Sequence, residues 1–151
     1  MRLNEIAALL GCAAPPRDAE AVGVTEDSRR VKPGYVFAAA PGERSDGHDF
    51  APQAAAAGAV AVMGSRDGLA EWAGLPYLRV EHTRRALGRL AHRFVGDPTQ
   101  SMRVVGYTGT NGKSSSVLLT RHVLRANGLS AAAFGTLGYV IGTEVLAAKH
   151  T

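Results

Sequence analysis

Between Gly106 and Ser115 the chain reads Gly-Tyr-Thr-Gly-Thr-Asn-Gly-Lys-Ser-Ser. Glycines and small polar residues let consecutive backbone N–H groups turn toward one point, and a helix starting there adds the positive end of its dipole. Such a point suits phosphate. Lys113 has the reach for β and γ phosphates, and the Ser114 hydroxyl can ligate magnesium, as in the Gly-Lys-Ser/Thr ending of a phosphate loop. The segment is therefore expected to hold a nucleotide, ATP with magnesium, through Gly109, Thr110, Asn111, Gly112, Lys113, Ser114 and Ser115. The spacing departs from the strict pattern, because Tyr107 stands five before Gly112 and Gly106 lies one residue earlier. The plainer alternative is a strand-to-helix turn carrying a chance Gly-Lys-Ser, against which the flanking strand and helix patterns weigh.

Those flanks are Met102–Tyr107, an expected strand, and Ser114–Asn127, an expected helix closed by Gly128. Helical spacing puts Val117, Leu119, Val123, Leu124 and Ala126 on one side and Arg121, His122 and Arg125 on the other, with Leu118 the exception. Ala131–Phe134 starts a second strand, followed by Gly135-Thr136-Leu137-Gly138-Tyr139. This last run reads either as a glycine-rich strand end or as part of a ligand rim beyond the carboxyl ends of an open α/β sheet. One strand, one helix and part of another strand cannot bury both faces of a parallel sheet, so this part is expected to be incomplete.

Upstream, Asn4 reads as the N-cap of a short helix over Ile6–Leu10 that Gly11 stops. Strands are expected at Val22–Thr25, Tyr35–Ala39, Ala59–Met63 and Tyr77–Val80, with Asp27-Ser28-Arg29 a polar turn after the first. An alanine-rich helix runs from an Asp49 cap, with Pro52 in its first turn, to Gly58. A further helix spans 83–95, and Gly96-Asp97-Pro98-Thr99 marks a lobe boundary. The fold class is α/β, with a small N-terminal lobe over 1–97 and the start of a phosphate-loop, parallel-sheet domain over 98–151.

Composition narrows the function classes. The chain is 46% hydrophobic and 20% charged, which places it among globular proteins that fold around a core. No stretch reaches the roughly 18 apolar residues of a membrane span, and Glu5 interrupts the apolar run a signal peptide would need. A cytoplasmic location without membrane insertion is the expectation. The single Cys12 allows no internal disulfide. The net charge of +4 comes from arginines scattered along the chain, which argues against nucleic acid as a partner. Arg84, Arg85, Arg89 and Arg93 share one side of a helix whose other side is Ala86, Leu87, Leu90, Ala91, Phe94 and Val95. They form either a solvated face or an anion-binding surface.

Gly109-Thr110-Asn111-Gly112-Lys113-Ser114 resembles the Gly-Thr-Asn-Gly-Lys-Thr loop of the Mur ligases, the amide-bond-forming enzymes of peptidoglycan synthesis. Ser114 stands in place of the family threonine and keeps the hydroxyl. Further matches follow in order: Asp27-Ser28-Arg29 with Pro33-Gly34 and Phe37, Gly47-His48-Asp49-Phe50, and Gly58-Ala59-Val60-Ala61-Val62. Together they resemble the substrate-binding lobe shared by the enzymes that add the third residue and those that add D-Ala-D-Ala. Gly135–Tyr139 and His150-Thr151 are similar to the MurE-type branch, the UDP-N-acetylmuramoyl-L-alanyl-D-glutamate ligases. The resemblance runs over nearly the whole chain but reaches only about the first third of the family's usual length, so a fragment is expected.

The resemblance implies an ATP-dependent ligase that joins a diamino acid, meso-diaminopimelate or L-lysine, to UDP-N-acetylmuramoyl-L-alanyl-D-glutamate through an acyl phosphate. It implies that Lys113 is catalytic, that Ser114 binds magnesium, and that Ser28, His48 and Thr151 contact substrate. The residues themselves leave other readings open: a strand-ending turn for Asp27-Ser28-Arg29 and a helix-entry residue for His48. Alternative functions are the D-Ala-D-Ala-adding ligase, a non-catalytic nucleotide or UDP-sugar binding module, and an unrelated phosphate-loop kinase or GTPase. The last would need a base-recognition or acceptor motif, which residues 1 to 100 do not carry.

Overall fold

A computed structural model describes residues 1–42 and 45–148. The chain divides into two compact units, Met1–Met102 and Arg103–Thr151, each with its own sheet.

In the first unit, helix α1 (Leu3–Leu10) begins two residues earlier than the Asn4 cap implies. Glu5 in the first turn accepts the Arg2 backbone N–H at 2.8 Å, and Asp18 from outside the helix accepts that of Asn4 at 3.2 Å, so two carboxylates supply the cap. Gly11, at φ 71°, stops the helix in the left-handed conformation. Strands β1 (Gly23–Thr25), β2 (Tyr35–Ala38), β3 (Ala61–Gly64) and β5 (Leu75–Arg79) run parallel. The short β4 (Glu71–Trp72) pairs antiparallel with β5, giving the order β1-β2-β3-β5-β4.

Both faces of this sheet are covered, and the period-two alternation of the strands divides the core between them. Val36, Ala38, Ala61, Met63 and Leu78 face α1 and helix α3 (Thr83–Phe94). Phe37, Val62 and Tyr77 face helix α2 (Ala51–Ala56) and the turn around Val31. Leu90, fully buried, anchors α3, and its truncation to alanine costs about 2–5 kcal/mol.

The α2 entry differs from the sequence expectation. Asp46, not Asp49, is the capping residue: it accepts the His48 N–H at 2.9 Å and starts a 3₁₀ turn over Gly47–Phe50 that leads into α2. On α3, Arg89 donates to the Leu9 carbonyl and Arg93 to Asp97, while Ala91 and Val95 lie exposed. The arginines thus make a solvated, locally bonded face, and the apolar stripe is narrower than expected.

In the second unit, helix α4 (Lys113–Ala126) packs against an antiparallel sheet of β6 (Ala133–Gly135), β7 (Gly138–Ile141) and β8 (Glu144–Leu146). Two expectations are corrected here. Residues 102–107 form no strand, because a strand requires a hydrogen-bonded neighbour and none of the described residues supplies one. The α4 stripe that meets the hairpin sheet holds Ser114, Val117, Leu118 and Arg121, whereas Leu119 and Val123 are 64% and 50% exposed. The spacing i, i+3, i+4, i+7 fits that stripe; Leu119 and Val123 belong to another.

Candidate functional sites

The glycine loop runs directly into α4. Gly112, at φ 78°, is the N-cap residue, and no side chain caps the helix. In the first turn the N–H groups of an α-helix lack intrahelical acceptors, so those of Lys113, Ser114 and Ser115 are donors without a helical partner. A positive φ at Gly109 (139°) and at Gly112 makes the tight path into the helix one that glycine alone adopts without strain. Lys113 Nζ donates to the Gly109 carbonyl and, at 3.3 Å, to that of Thr110, which holds the ammonium over the loop. The loop is exposed, with Ser114 half-buried. A helix N-terminus with an ammonium beside it is the kind of arrangement that suits an anion.

Gly135 and Gly138 close the two-residue turn of the β6–β7 hairpin, so Gly135–Tyr139 is a hairpin and not the end of a parallel strand. An apolar cavity of about 210 Å³ lies between this hairpin and α4, lined by Ser114, Val117, Phe134 and Val140 among others.

In the first unit the carboxyl ends of the parallel strands carry a second cluster. The register Thr25↔Phe37 places the turn holding Ser28 beside the segment that leaves β2. Ser28 is buried, its backbone turn is capped by Asp27, and its hydroxyl donates to Gln53 Oε1 at 2.8 Å. Beyond β2, Pro41 and Asp46 bridge to each other, and the Gly42 N–H donates to the Ser45 carbonyl.

Asp46 is the hub of a closed network. His48 Nδ1 donates to Asp46 Oδ1 at 2.7 Å, and Arg66 Nη2 donates to Asp46 Oδ2 at 2.6 Å. His48 Nε2 accepts from the Tyr77 hydroxyl at 2.8 Å, whose oxygen accepts the Arg66 backbone N–H at 2.9 Å. This proton arrangement follows from the partners, since a carboxylate can only accept. The Asp46 carboxyl lies well below the usual carboxylate range, chiefly because it accepts the His48 backbone N–H, with partial burial opposing and His48 and Arg66 adding to the effect. Burial pushes the Tyr77 hydroxyl upward. Trp72 Nε1 donates to the His48 carbonyl at 3.2 Å, and the Arg66 guanidinium stacks 4.8 Å from the Trp72 ring centre.

His48 is therefore not placed as a ligand contact. Its side chain is 2% exposed and both ring nitrogens have protein partners. Ser28 lies in the turn after β1 with its hydroxyl on Gln53, and Gly109–Gly112 lead into Lys113–Ser115, the first turn of α4. His150 and Thr151 fall outside the described residues. Asp46, Arg66, Trp72 and Tyr77 escaped the sequence reading: Tyr77 and His48 are 29 residues apart, and only strand register brings them together. Among the described residues no group of three or more His, Cys, Asp or Glu side chains could hold a metal, and no helix is long and apolar enough to cross a membrane.

The profile described as "Mur ligase family, catalytic domain" matches residues 20–95. A UDP-N-acetylmuramyl-tripeptide synthetase of Deinococcus radiodurans is 46% identical over 92% of this chain and 29% of its own length. A UDP-N-acetylmuramoyl-L-alanyl-D-glutamate--2,6-diaminopimelate ligase of Streptomyces avermitilis is 42% identical over 99% of this chain and 30% of its own. The crystal structure of a MurF ligase from Thermotoga maritima in complex with ADP is 30% identical and superposes with a TM-score of 0.51, covering 68% of this chain and 23% of that one. The chain thus spans 29–30% of the length of these two relatives.

Proposed function

The chain belongs to the Mur ligase family, and on that premise we propose that it serves ATP-dependent amide ligation, joining a diamino acid to UDP-N-acetylmuramoyl-L-alanyl-D-glutamate in peptidoglycan synthesis. In this reading the unit Met1–Met102 holds the UDP-bearing substrate at the carboxyl edge by Ser28, and the loop Gly109–Ser115 holds the phosphates of ATP. The observation that carries it is the start of α4, which no side chain caps, which Gly112 enters at positive φ and beside which Lys113 holds its ammonium on the Gly109 carbonyl. The ADP named in the Thermotoga structure supports the nucleotide, and the name of the Streptomyces relative supports diaminopimelate as the amine.

Phosphoryl transfer to a carboxylate asks the protein for positioning and charge neutralisation. Lys113 is the catalytic residue here: its ammonium exchanges the Gly109 and Thr110 carbonyls for phosphate oxygens. The amides of Gly112, Lys113, Ser114 and Ser115 fix the phosphate chain, with Thr110 and Asn111 shaping the turn. The Ser114 hydroxyl is the hard oxygen that would hold magnesium, which would supply further neutralisation of charge.

Titration of the chain with ATP and magnesium, followed by amide NMR, is expected to shift Gly109–Ser115, and titration with UDP-N-acetylmuramoyl-L-alanyl-D-glutamate to shift the turn at Ser28. Absence of both responses refutes the proposal. Mass-spectrometric detection of tripeptide formed by the intact gene product from diaminopimelate but not L-lysine decides the amine.

A further inference from the structure

We propose that Asp46, His48, Tyr77 and the Arg66 segment form a positioning device that presets the carboxyl edge of the first unit for its substrate. This rests on the reading of that edge as the place where the UDP-bearing substrate binds. The network ties two edge segments to each other and to a neighbouring strand: Asp46 and His48 follow β2, Arg66 follows β3, and Tyr77 lies on β5. The β2 segment is the one that the register sets beside the Ser28 turn. Its base, where Asp46 bridges Pro41, cannot tilt without breaking bonds to both His48 and Arg66.

Two glycines show how closely the backbone is drawn in. A Cβ on Gly64 would stand 2.4 Å from both His48 Nε2 and Tyr77 Oη, so the His48–Tyr77 bond passes directly over β3. A Cβ on Gly47 would stand 2.5 Å from the Ala40 carbonyl oxygen, so the 3₁₀ turn is pressed against the strand exit. Side chains of such a partly buried polar network gain little net stability over apolar packing of the same volume. What they add is directionality, because each bond fixes one segment relative to another. Preformed geometry lowers the ordering cost paid on binding.

Tyr77 is 4% exposed and its hydroxyl is occupied on both sides, so a change there reaches a ligand only through the edge segments. The test measures the affinity of the chain for UDP-N-acetylmuramoyl-L-alanyl-D-glutamate and for ATP by calorimetry, in the wild type, Tyr77→Phe, Asp46→Asn and Leu90→Ala. Tyr77→Phe and Asp46→Asn are expected to weaken the UDP substrate about tenfold, the loss that corresponds to about 1.4 kcal/mol, and to leave ATP affinity unchanged. Leu90→Ala, which removes only core packing on the opposite face, is expected to lower the melting temperature without moving either affinity. Wild-type affinity in a folded Tyr77→Phe or Asp46→Asn variant overturns the positioning role. If one of the two fails to fold, the other decides. Failure of the wild type to bind the UDP substrate instead overturns the reading on which the inference rests.

Discussion

Replacing Gly64 by alanine drives one methyl group into the His48–Tyr77 hydrogen bond. The added carbon would lie 2.4 Å from His48 Nε2 and from Tyr77 Oη, and 2.9 Å from His48 Cε1. Ordinary contact begins near 3.4 Å, so both partners must retreat by about 1 Å (3.4 − 2.4). Neither has room. The His48 ring is held 5.5 Å from the Trp72 ring and bonded to Asp46, and Tyr77 packs within the core formed with Phe37 and Val62. Overpacking of this kind costs about 1–3 kcal/mol. Opening a buried hydrogen bond adds about 1–3 kcal/mol if the groups stay unsatisfied. A total of at least about 2 kcal/mol is expected, which for a unit of this size lowers the melting temperature by roughly 8 °C or more. The assay is thermal unfolding by circular dichroism. Gly88→Ala serves as the contrast: Gly88 lies in α3 with nothing within 4 Å of its added Cβ, so the same chemical change there is expected to stabilise by about 0.5–1 kcal/mol. A Gly64→Ala melting temperature within about 2 °C of the wild type, read against that scale, refutes the argument that the His48–Tyr77 bond is rigidly held over β3.

Lys113→Ala is expected to leave the far-ultraviolet spectrum and melting temperature unchanged, since the side chain is exposed, while weakening ATP by roughly 10- to 150-fold through loss of a charge-assisted contact; calorimetric titration checks it. Asp46 is depressed in the folded protein, so its contribution to stability is present above its unfolded value near 4 and is lost as the pH falls toward its folded value. Asp46→Asn is therefore expected to lower stability at neutral pH and to flatten its decline below about pH 4, without abolishing it because Asp18, Asp27 and Asp97 are depressed too. Urea unfolding across pH measures both effects. Gly138→Ala places a Cβ 2.6 Å from the Leu146 carbonyl oxygen at a φ of 130°. It is expected to break the β7–β8 pairing, seen as faster amide exchange over Glu144–Leu146.

Much of this molecule is written locally. The proposed phosphate loop needs only residues within one short segment: Gly109 and Gly112 for the turn, Lys113 for the charge, and the helix that begins at once for the dipole. The parallel strands are legible for a similar reason. Strands buried on both faces read as unbroken apolar runs, as in Tyr35–Ala38 and Ala61–Gly64, and their neighbours need not be known to recognise them. Even the turn at Ser28 follows from Asp27, which caps it by accepting the Arg29 N–H two residues on.

Tertiary structure decided what depends on register and on which face meets which. The resemblance implied a substrate contact at His48 and the residues alone a helix-entry position, and neither carries a sign of the partners its ring meets. Asp46 is near in sequence, but Arg66 and Tyr77 reach the network only because β3 and β5 lie side by side. Residues 102–107 have the composition of a strand, yet composition supplies no hydrogen-bonding neighbour. On α4 the sequence offers apolar residues on more than one side. Packing against the hairpin selected Val117 and Leu118 over Leu119 and Val123, because helical periodicity ranks faces and contact alone chooses between them.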